Sequence, residues 1–373
     1  MKHTATILRI ITGLVFIFSG FVKAVDPVGT QIKFEDYFTA MGLEFMHPSA
    51  LFFSFVLNAA EFVLGIMLVL KVLPKLTLWG ALGFMILFTP LTLWLAVANP
   101  VSDCGCFGDA VTLTNWETFW KNVVLLVFIV FALVFGKHTN WLSSGAGLIT
   151  AAASVLLVFA FQAYNLRHLP MIDFRPFYEG SDIKAKTIIP PDAEQDVYET
   201  KLYYINNNSG ERKEFTLEES PYDDPENWTF DTTINVLVKK GYEPPIHDFY
   251  LTDTHGNDLT DSILNDKNYA LIMISFEFDN AKESHLAEVE RVSEYAARKA
   301  LNFYVFTASG TDSRKAFENT YSFEGSLCTG DKTMLKTIVR SNPAWVLMKD
   351  AHIIKKWHFR DLPENEKLDN YIK

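Results

Sequence analysis

Asp103-Cys104-Gly105-Cys106-Phe107-Gly108-Asp109 is a short polar link between two long apolar runs, roughly 76–98 and 117–136. Both runs are long enough to cross a bilayer, which takes about 20 mostly apolar residues in helical form. The 373-residue chain has three cysteines, and the third is Cys328. Two thiols one residue apart, at the mouth of a membrane bundle, can close into a small ring. Disulfides accept a narrow range of dihedrals and distances, so that ring is strained. Strained, accessible disulfides are the exchangeable, oxidising ones rather than passive staples. Cys104 and Cys106 are therefore the candidate catalytic pair.

Three further runs share this character, roughly 7–24, 50–70 and 142–164. The last opens with Ser143, Ser144, Gly145 and Gly147, yet Leu148 to Phe161 is almost free of polar residues. Five crossings are the reading, with four as the alternative. Basic residues set the orientation, because cytoplasmic links are rich in Lys and Arg. Lys2 and Arg9 flank the first run, Lys71 and Lys75 fill the second link, and Lys137 with His138 the fourth. The first link holds Asp26, Glu35, Asp36 and Glu44 against Lys23 and Lys33. The third holds Asp103 and Asp109 with no base before Lys121. This pattern predicts a bacterial inner-membrane protein with its amino terminus in the cytoplasm and its carboxy-terminal part in the periplasm. The cysteine pair then faces an oxidising compartment, where a disulfide persists. The first run exceeds the usual apolar core of a signal peptide, and Thr12 and Gly13 read as packing positions, so it is taken as an uncleaved helix.

Residues 25–49 are too aromatic for a simple loop. Ile32, Phe34, Tyr37, Phe38 and Met41 fall on one helical face against Lys33, Glu35 and Asp36. That spacing predicts an interfacial helix capping the bundle near Cys104. Glu61 lies mid-span in Asn58-Ala59-Ala60-Glu61-Phe62. An ionisable group at that depth costs several kcal/mol and marks a candidate functional group. The structural alternative is a protonated Glu61 bonded to a neighbouring helix with Asn58. Thr89-Pro90 and Thr92 predict a kink whose hydroxyls satisfy freed carbonyls.

Residues 1–166 carry eight basic and eight acidic side chains, so the formal net charge of −11 falls on the remainder. An acidic exposed part argues against nucleic acid, whose phosphates need clustered Lys and Arg. It also disfavours anionic headgroups. Residues 170–192 read as a linker, and Val197 to Phe215 as a hairpin around Asn206-Asn207-Asn208-Ser209-Gly210. From Pro244 the pattern becomes β-α-β. Tyr269 to Phe278 is an apolar strand run, and Ala281 to Leu301 a helix with Leu286, Val289, Val292 and Tyr295 on one stripe. Phe303 to Phe306 is a strand and Thr333 to Val339 a helix. Ala344 to Met348 enters a strand from Asn342-Pro343, and Ile353 to Phe359 follows.

This order resembles the thioredoxin-like fold over about 130 residues. The resemblance places Asn342-Pro343 at that family's cis-proline loop. Its Cys-x-x-Cys belongs at the start of the helix after the first core strand, where the dipole lowers a thiol pKa. Here that place reads Phe276-Glu277-Phe278-Asp279-Asn280-Ala281-Lys282-Glu283-Ser284-His285, with no cysteine. Cys328, in Ser326-Leu327-Cys328-Thr329-Gly330, reads as a small residue near a loop, and as a free thiol it is a candidate redox partner for Cys104 or Cys106.

The front part has its own resemblance. Gly20-Phe21-Val22-Lys23-Ala24-Val25-Asp26-Pro27, a four-helix core and Cys104-Gly105-Cys106-Phe107-Gly108 together resemble the DoxX/MauE group of membrane proteins over roughly 1–140. DoxX-like bundles fused to thioredoxin-like modules are common in Bacteroidetes. The resemblance implies a role in maturing disulfide-rich envelope proteins. It also implies a bundle similar in outline to quinone-linked disulfide enzymes, hence a quinone as candidate cofactor. Those enzymes use two cysteine pairs, whereas this chain has one, so a full relay needs a partner protein or direct contact with substrate.

The expected architecture is an all-α membrane bundle followed by a soluble α/β domain. The expected parts are a four-helix bundle (1–140), a fifth transmembrane helix (141–166), a linker and β-rich periplasmic segment (167–243), and a thioredoxin-like domain without active-site cysteines (244–373). Two functions compete. In one, the cysteine pair exchanges disulfides with an envelope client or redox partner, with Asp103 and Asp109 raising the thiol pKa by like charge. In the other, the protein is a non-enzymatic scaffold whose domain without active-site cysteines binds a client. A zinc site built from the two thiolates with His47 and Asp109 is a weaker third.

Overall fold

The computed structural model describes residues 1–373 except Ser102, Asn140, Leu142, Ser143, Lys240 and Lys373, together with the side chain of Ser144. Two residues expected to open the fifth run, Leu142 and Ser143, therefore lie outside the described residues.

The apolar runs fold into helices α1 (Lys2–Val25), α3 (Ala50–Leu70), α4 (Pro74–Ala98), α5 (Asn115–Phe135) and α6 (Ser144–Arg167). These five are long and apolar enough to cross a membrane. Their outward faces carry exposed Leu14, Leu87, Val97 and Leu156, as a lipid-facing surface requires. Helix α1 crosses α3 at glycines. A Cβ on Gly20 would lie 2.5 Å from the Phe62 amide nitrogen, and one on Gly65 2.6 Å from that of Ile17. Small residues let membrane helices approach closely where no hydrophobic drive exists between them. Helix α6 is tied to the bundle by polar side chains. The Asn58 amide donates to the Lys23 carbonyl at 3.0 Å and to Gln162 Oε1 at 3.0 Å. In α4 the Thr92 hydroxyl faces the Phe88 and Thr89 carbonyls, whereas the buried Thr89 hydroxyl has no partner, so only one of the two expected threonines acts on the backbone.

The interfacial helix forms as α2 (Pro27–Ala40). Asp26 caps it by accepting from the Gly29 amide, and Pro27 opens it with its φ already helical. At the opposite end of the bundle the basic links converge. The Trp141 ring lies 4.9 Å from the Arg9 guanidinium and 5.9 Å from the Lys71 ammonium.

By contacts the described chain divides into two units, Met1–Ser181 with Tyr250–Lys373, and Asp182–Phe249. The smaller unit holds a three-stranded antiparallel sheet, β2-β1-β3, of β1 (Val197–Asn206), β2 (Arg212–Phe215) and β3 (Trp228–Lys239). The hairpin between β1 and β2 turns at the expected Asn-rich segment. Strand β3 escaped the sequence reading, because its Thr and Asp residues leave it exposed along almost its whole length.

In the larger unit, β4 (Leu251–Thr252), β5 (Tyr269–Ile274), β6 (Asn302–Thr307), β7 (Ser326–Gly330), β8 (Ala344–Lys349) and β9 (His352–His358) form one sheet, ordered β4-β7-β6-β5-β8-β9. Strands β5, β6 and β7 are parallel, while β8 and β9 run antiparallel to their neighbours. The Asn342-Pro343 peptide entering β8 is cis. This is the thioredoxin-like arrangement, read from its own topology. The stripe Leu286, Val289, Val292 and Tyr295 packs into the core around the fully buried Trp345. The expected helix 281–301 appears as Glu283–Leu286 and Glu288–Arg298, parted by Ala287, whose backbone angles stay helical. Helix Thr311–Thr320 and strand β7 were not anticipated, since both are short and polar. Residues 170–181 are not a free linker. Phe177 is buried, and Arg175 pairs with Asp173 at 2.8 Å while donating to the Thr337 carbonyl at 2.8 Å. Lys356 also pairs with Asp173, and burial brings its ammonium down to about 8.

Candidate functional site

The link between α4 and α5 is tied at both ends. Helix α4 ends at Asn99 in the left-handed conformation, φ +45°, where Asn is tolerated. Helix α5 begins with a capping box between Thr114 and Glu117. The Asn115 amide joins the two ends by donating to Asn99 Oδ1 and the Val101 carbonyl, each at 2.9 Å. Between them the cysteine loop folds tightly. Gly105 has φ +63° and Gly108 φ +52°, a region costly for side chains with a Cβ. The Gly108 amide donates to the Gly105 carbonyl at 3.0 Å, and the Gly105 amide to Asp103 Oδ1 at 2.8 Å.

Three elements hold this loop. From α2, the Tyr37 hydroxyl donates to the Cys104 carbonyl at 2.5 Å, and Lys33 pairs with Asp103 at 2.8 Å. Helix α2 thus caps the cysteines, as its aromatic spacing predicts. Burial, with the sulfurs beside it, raises the Tyr37 phenol well above its ordinary value, so it stays a donor. From α5, Lys121 lies 4.5 Å from the centre of the Phe107 ring. From α1, the Ser19 hydroxyl lies 2.7 Å from both the Cys106 carbonyl oxygen and Glu61 Oε2.

Both cysteines are free thiols, with Cys104 buried and Cys106 partly exposed. The hydrogen bond from Cys104 lowers the Cys106 thiol to about 6, helped by Lys121 and Lys23 against the cost of burial. The same bond, with burial, raises Cys104. The expectation that Asp103 and Asp109 raise the thiol pKa by like charge is not met, as neither is among the groups acting on the sulfurs. Asp103 is matched by Lys33 and Asp109 by Arg340 at 3.2 Å, so neither carboxylate acts on the sulfurs as an isolated charge. The two sulfurs thus sit in unlike surroundings, Cys104 buried and Cys106 partly exposed.

Glu61 is not without a charged partner. It pairs with Lys23 at 2.5 Å, both side chains almost wholly buried. Asn58 does not bond it and ties α1 to α6 instead. Lys23, read from sequence as a charge in the first link, lies within α1 and reaches the acid. Lys23, Ser19, Lys121 and Arg340 were the residues missed. The signal available for Lys23 was that a mid-span carboxylate needs a cation.

The remaining candidates lie elsewhere. Cys328 is on strand β7 rather than in a loop and is fully buried, its thiol pushed up to about 12 by burial. The structure does not bring it to Cys104 or Cys106. His47 stacks on Phe38 and bonds the Thr39 hydroxyl at 3.1 Å, while Asp109 faces Arg340, so the residues considered for zinc are not gathered. A cavity of about 30 Å³ adjoins Cys106, lined by Ser19, Glu61, Phe84, Phe88, Lys121 and Asn122 among others. It has room for about one water and falls far short of a quinone ring, so these residues do not fit that cofactor.

In the thioredoxin-like domain, the place of the usual dithiol holds a polar network. The Asn342 amide donates to the Glu277 carbonyl at 2.7 Å, the Ser275 hydroxyl to Asn342 Oδ1 at 2.9 Å, and the Phe278 amide to the Ser309 hydroxyl at 2.9 Å. Arg340, two residues before the cis peptide, is buried and pairs with Asp26 at 2.8 Å as well as with Asp109.

Residues 1–136 match the family described as Methylamine utilisation protein MauE. Residues 198–240, spanning β1 to β3, match a Domain of unknown function (DUF8463). None of the curated proteins matches the chain. Among solved structures, a secreted Mycobacterium tuberculosis disulfide oxidoreductase homologous to E. coli DsbE aligns with 33% of this chain and 93% of its own, at 15% identity and a TM-score of 0.27.

Proposed function

With a MauE-like membrane bundle at residues 1–136 and a thioredoxin-like domain that lacks its dithiol as premises, we propose that this is a bacterial inner-membrane protein of envelope thiol–disulfide exchange or protein maturation. The reacting groups are Cys104 and Cys106, at the periplasmic end, with the amino terminus in the cytoplasm. The observation that carries this reading is the asymmetry of the pair. Cys106 is partly exposed and its thiol is lowered by the hydrogen bond from Cys104, whereas Cys104 is buried, in a loop held by Tyr37, Lys33 and Ser19. An accessible thiolate beside a protonated resolving thiol is the arrangement exchange needs.

A client thiolate attacks Cys106 Sγ of the closed pair. The Cys104–Cys106 bond breaks, a client–Cys106 bond forms, and the electron pair leaves on Cys104, which takes a proton. A second client thiolate attacks the client sulfur and expels Cys106 as a thiolate. The client dithiol is oxidised and the pair reduced. A second protein disulfide, attacked by the Cys106 thiolate, accepts the two electrons and closes the pair again.

The scaffold reading keeps one observation in its favour, the Arg340 side chain that fixes a domain without the usual dithiol to Asp26 and Asp109. One experiment separates the two. In cells, Cys104→Ser should trap a mixed disulfide between Cys106 and an envelope protein, and Cys104→Ser/Cys106→Ser should abolish function. A fully active double variant, with deletion of 250–373 inactivating, would establish the scaffold instead.

A further inference from the structure

The Lys23–Glu61 pair lies within the membrane bundle, where an ion pair offers little net stability over apolar packing. It is joined to the cysteine loop at two points. The Ser19 hydroxyl faces both the Glu61 carboxylate and the Cys106 carbonyl, and Glu61, Ser19, Lys121 and Cys106 line one cavity wide enough for a water. We propose that Lys23 is the fixed counter-cation of a two-anion site, its charge matched by the Glu61 carboxylate while Cys106 is protonated, and by the Cys106 thiolate when the proton has passed to Glu61. The inference deepens the exchange reading and rests on it.

The balance is simple. Cys106–SH and the Glu61 carboxylate become the Cys106 thiolate and neutral Glu61, with one proton moved across the cavity and no net charge gained. Lys23 thereby meets one anion in both states, while the half-buried Lys121 adds a second positive charge toward Cys106. Lys23 is positioned for this by the close α1–α3 crossing at Gly20, which brings the end of α1 over Glu61. The groups facing Cys106 from every packed element are few: Lys23 from α1, Tyr37 from α2, Glu61 from α3, Lys121 from α5 and Cys104 in its own loop. Asp103 and Asp109 are matched by Lys33 and Arg340.

The test is the pH profile of Cys106 alkylation by iodoacetamide in the reduced full-length protein in lipid nanodiscs, read on the Cys106 peptide by mass spectrometry. Glu61→Gln leaves Lys23 to the thiolate alone and should move the midpoint down by about one pH unit; Lys23→Met should move it up by about one unit. Lys23→Met/Glu61→Gln, a neutral pair, should return near the parent value. An ion pair out of electrostatic reach of Cys106 moves none of these midpoints. Unmoved midpoints in folded variants, or single variants shifting in the same direction, would overturn the proposal. Should Lys23→Met fail to fold, Glu61→Gln and the double variant decide by the same signs. Shifted midpoints with no trapped client would instead remove the exchange reading and leave the charge site standing.

Discussion

Two places in this chain stand where thiol chemistry could be housed, and they are built in opposite ways. The loop between α4 and α5 carries two sulfurs and two glycines at positive φ, and meets the buried Lys23 and half-buried Lys121 from neighbouring helices. The segment after β5, where a thioredoxin-like fold usually keeps its dithiol, carries Ser275 and Glu277, both bonded to Asn342 of the cis-proline loop. The topology survives at the second place without the reactive atoms, and the reactive atoms occur at the first without that topology. A fold therefore does not locate function; the local chemistry does.

The comparison breaks most severely at the buried ion pair. Lys23→Met leaves Glu61 in the bundle without its cation and should destabilise the protein by about 3–5 kcal/mol, read by thermal unfolding in detergent. The double change Lys23→Met/Glu61→Leu should recover most of that loss. No substitution in the polar network after β5 should cost as much, because those groups are neutral or partly solvated.

A second way to separate the regions is pH. His358 is buried on β9 and held near 4, by burial first and by Arg360 second. The unfolded chain takes up that proton at the ordinary histidine pH, near 6.5, so between these values the unfolded state binds more protons. Stability therefore rises with pH through this window and falls on acidification, by up to about 3 kcal/mol for this group. Thermal unfolding of the parent from pH 6.5 to 4 should show that slope, and His358→Gln should flatten it. A slope unchanged in His358→Gln would assign the effect elsewhere.

The smallest effect sharpens the contrast between cysteines. Cys328→Ser places a hydroxyl in a fully buried strand and should cost about 1–3 kcal/mol, with client exchange unchanged. A loss of exchange at preserved stability would return Cys328 to the redox chemistry.

Much of this was legible in the sequence for a physical reason. Five apolar runs, basic links on alternate sides and the Cys104-Gly105-Cys106 link are local patterns, and bilayer thickness fixes their reading. The aromatic face of α2 and the stripe Leu286, Val289, Val292 and Tyr295 are likewise periodic. What stayed hidden depends on pairing across the chain. Nothing near Lys23 announces that it reaches Glu61, nothing near Arg340 announces Asp26 and Asp109, and Cys328 reads as a loop residue until β7 is seen pairing with β6. Exposed strand β3 has too little apolar alternation to declare itself.

The central claim is that Cys104 and Cys106 change oxidation state as the protein works. Acid-quenched cells, alkylated before and after reduction and read by the mass of the 104–106 peptide, test it most directly. The account expects a mixture of closed and open pairs that moves toward closed with an oxidant pulse and toward open with dithiothreitol. A single state, unmoved by either pulse, would contradict it.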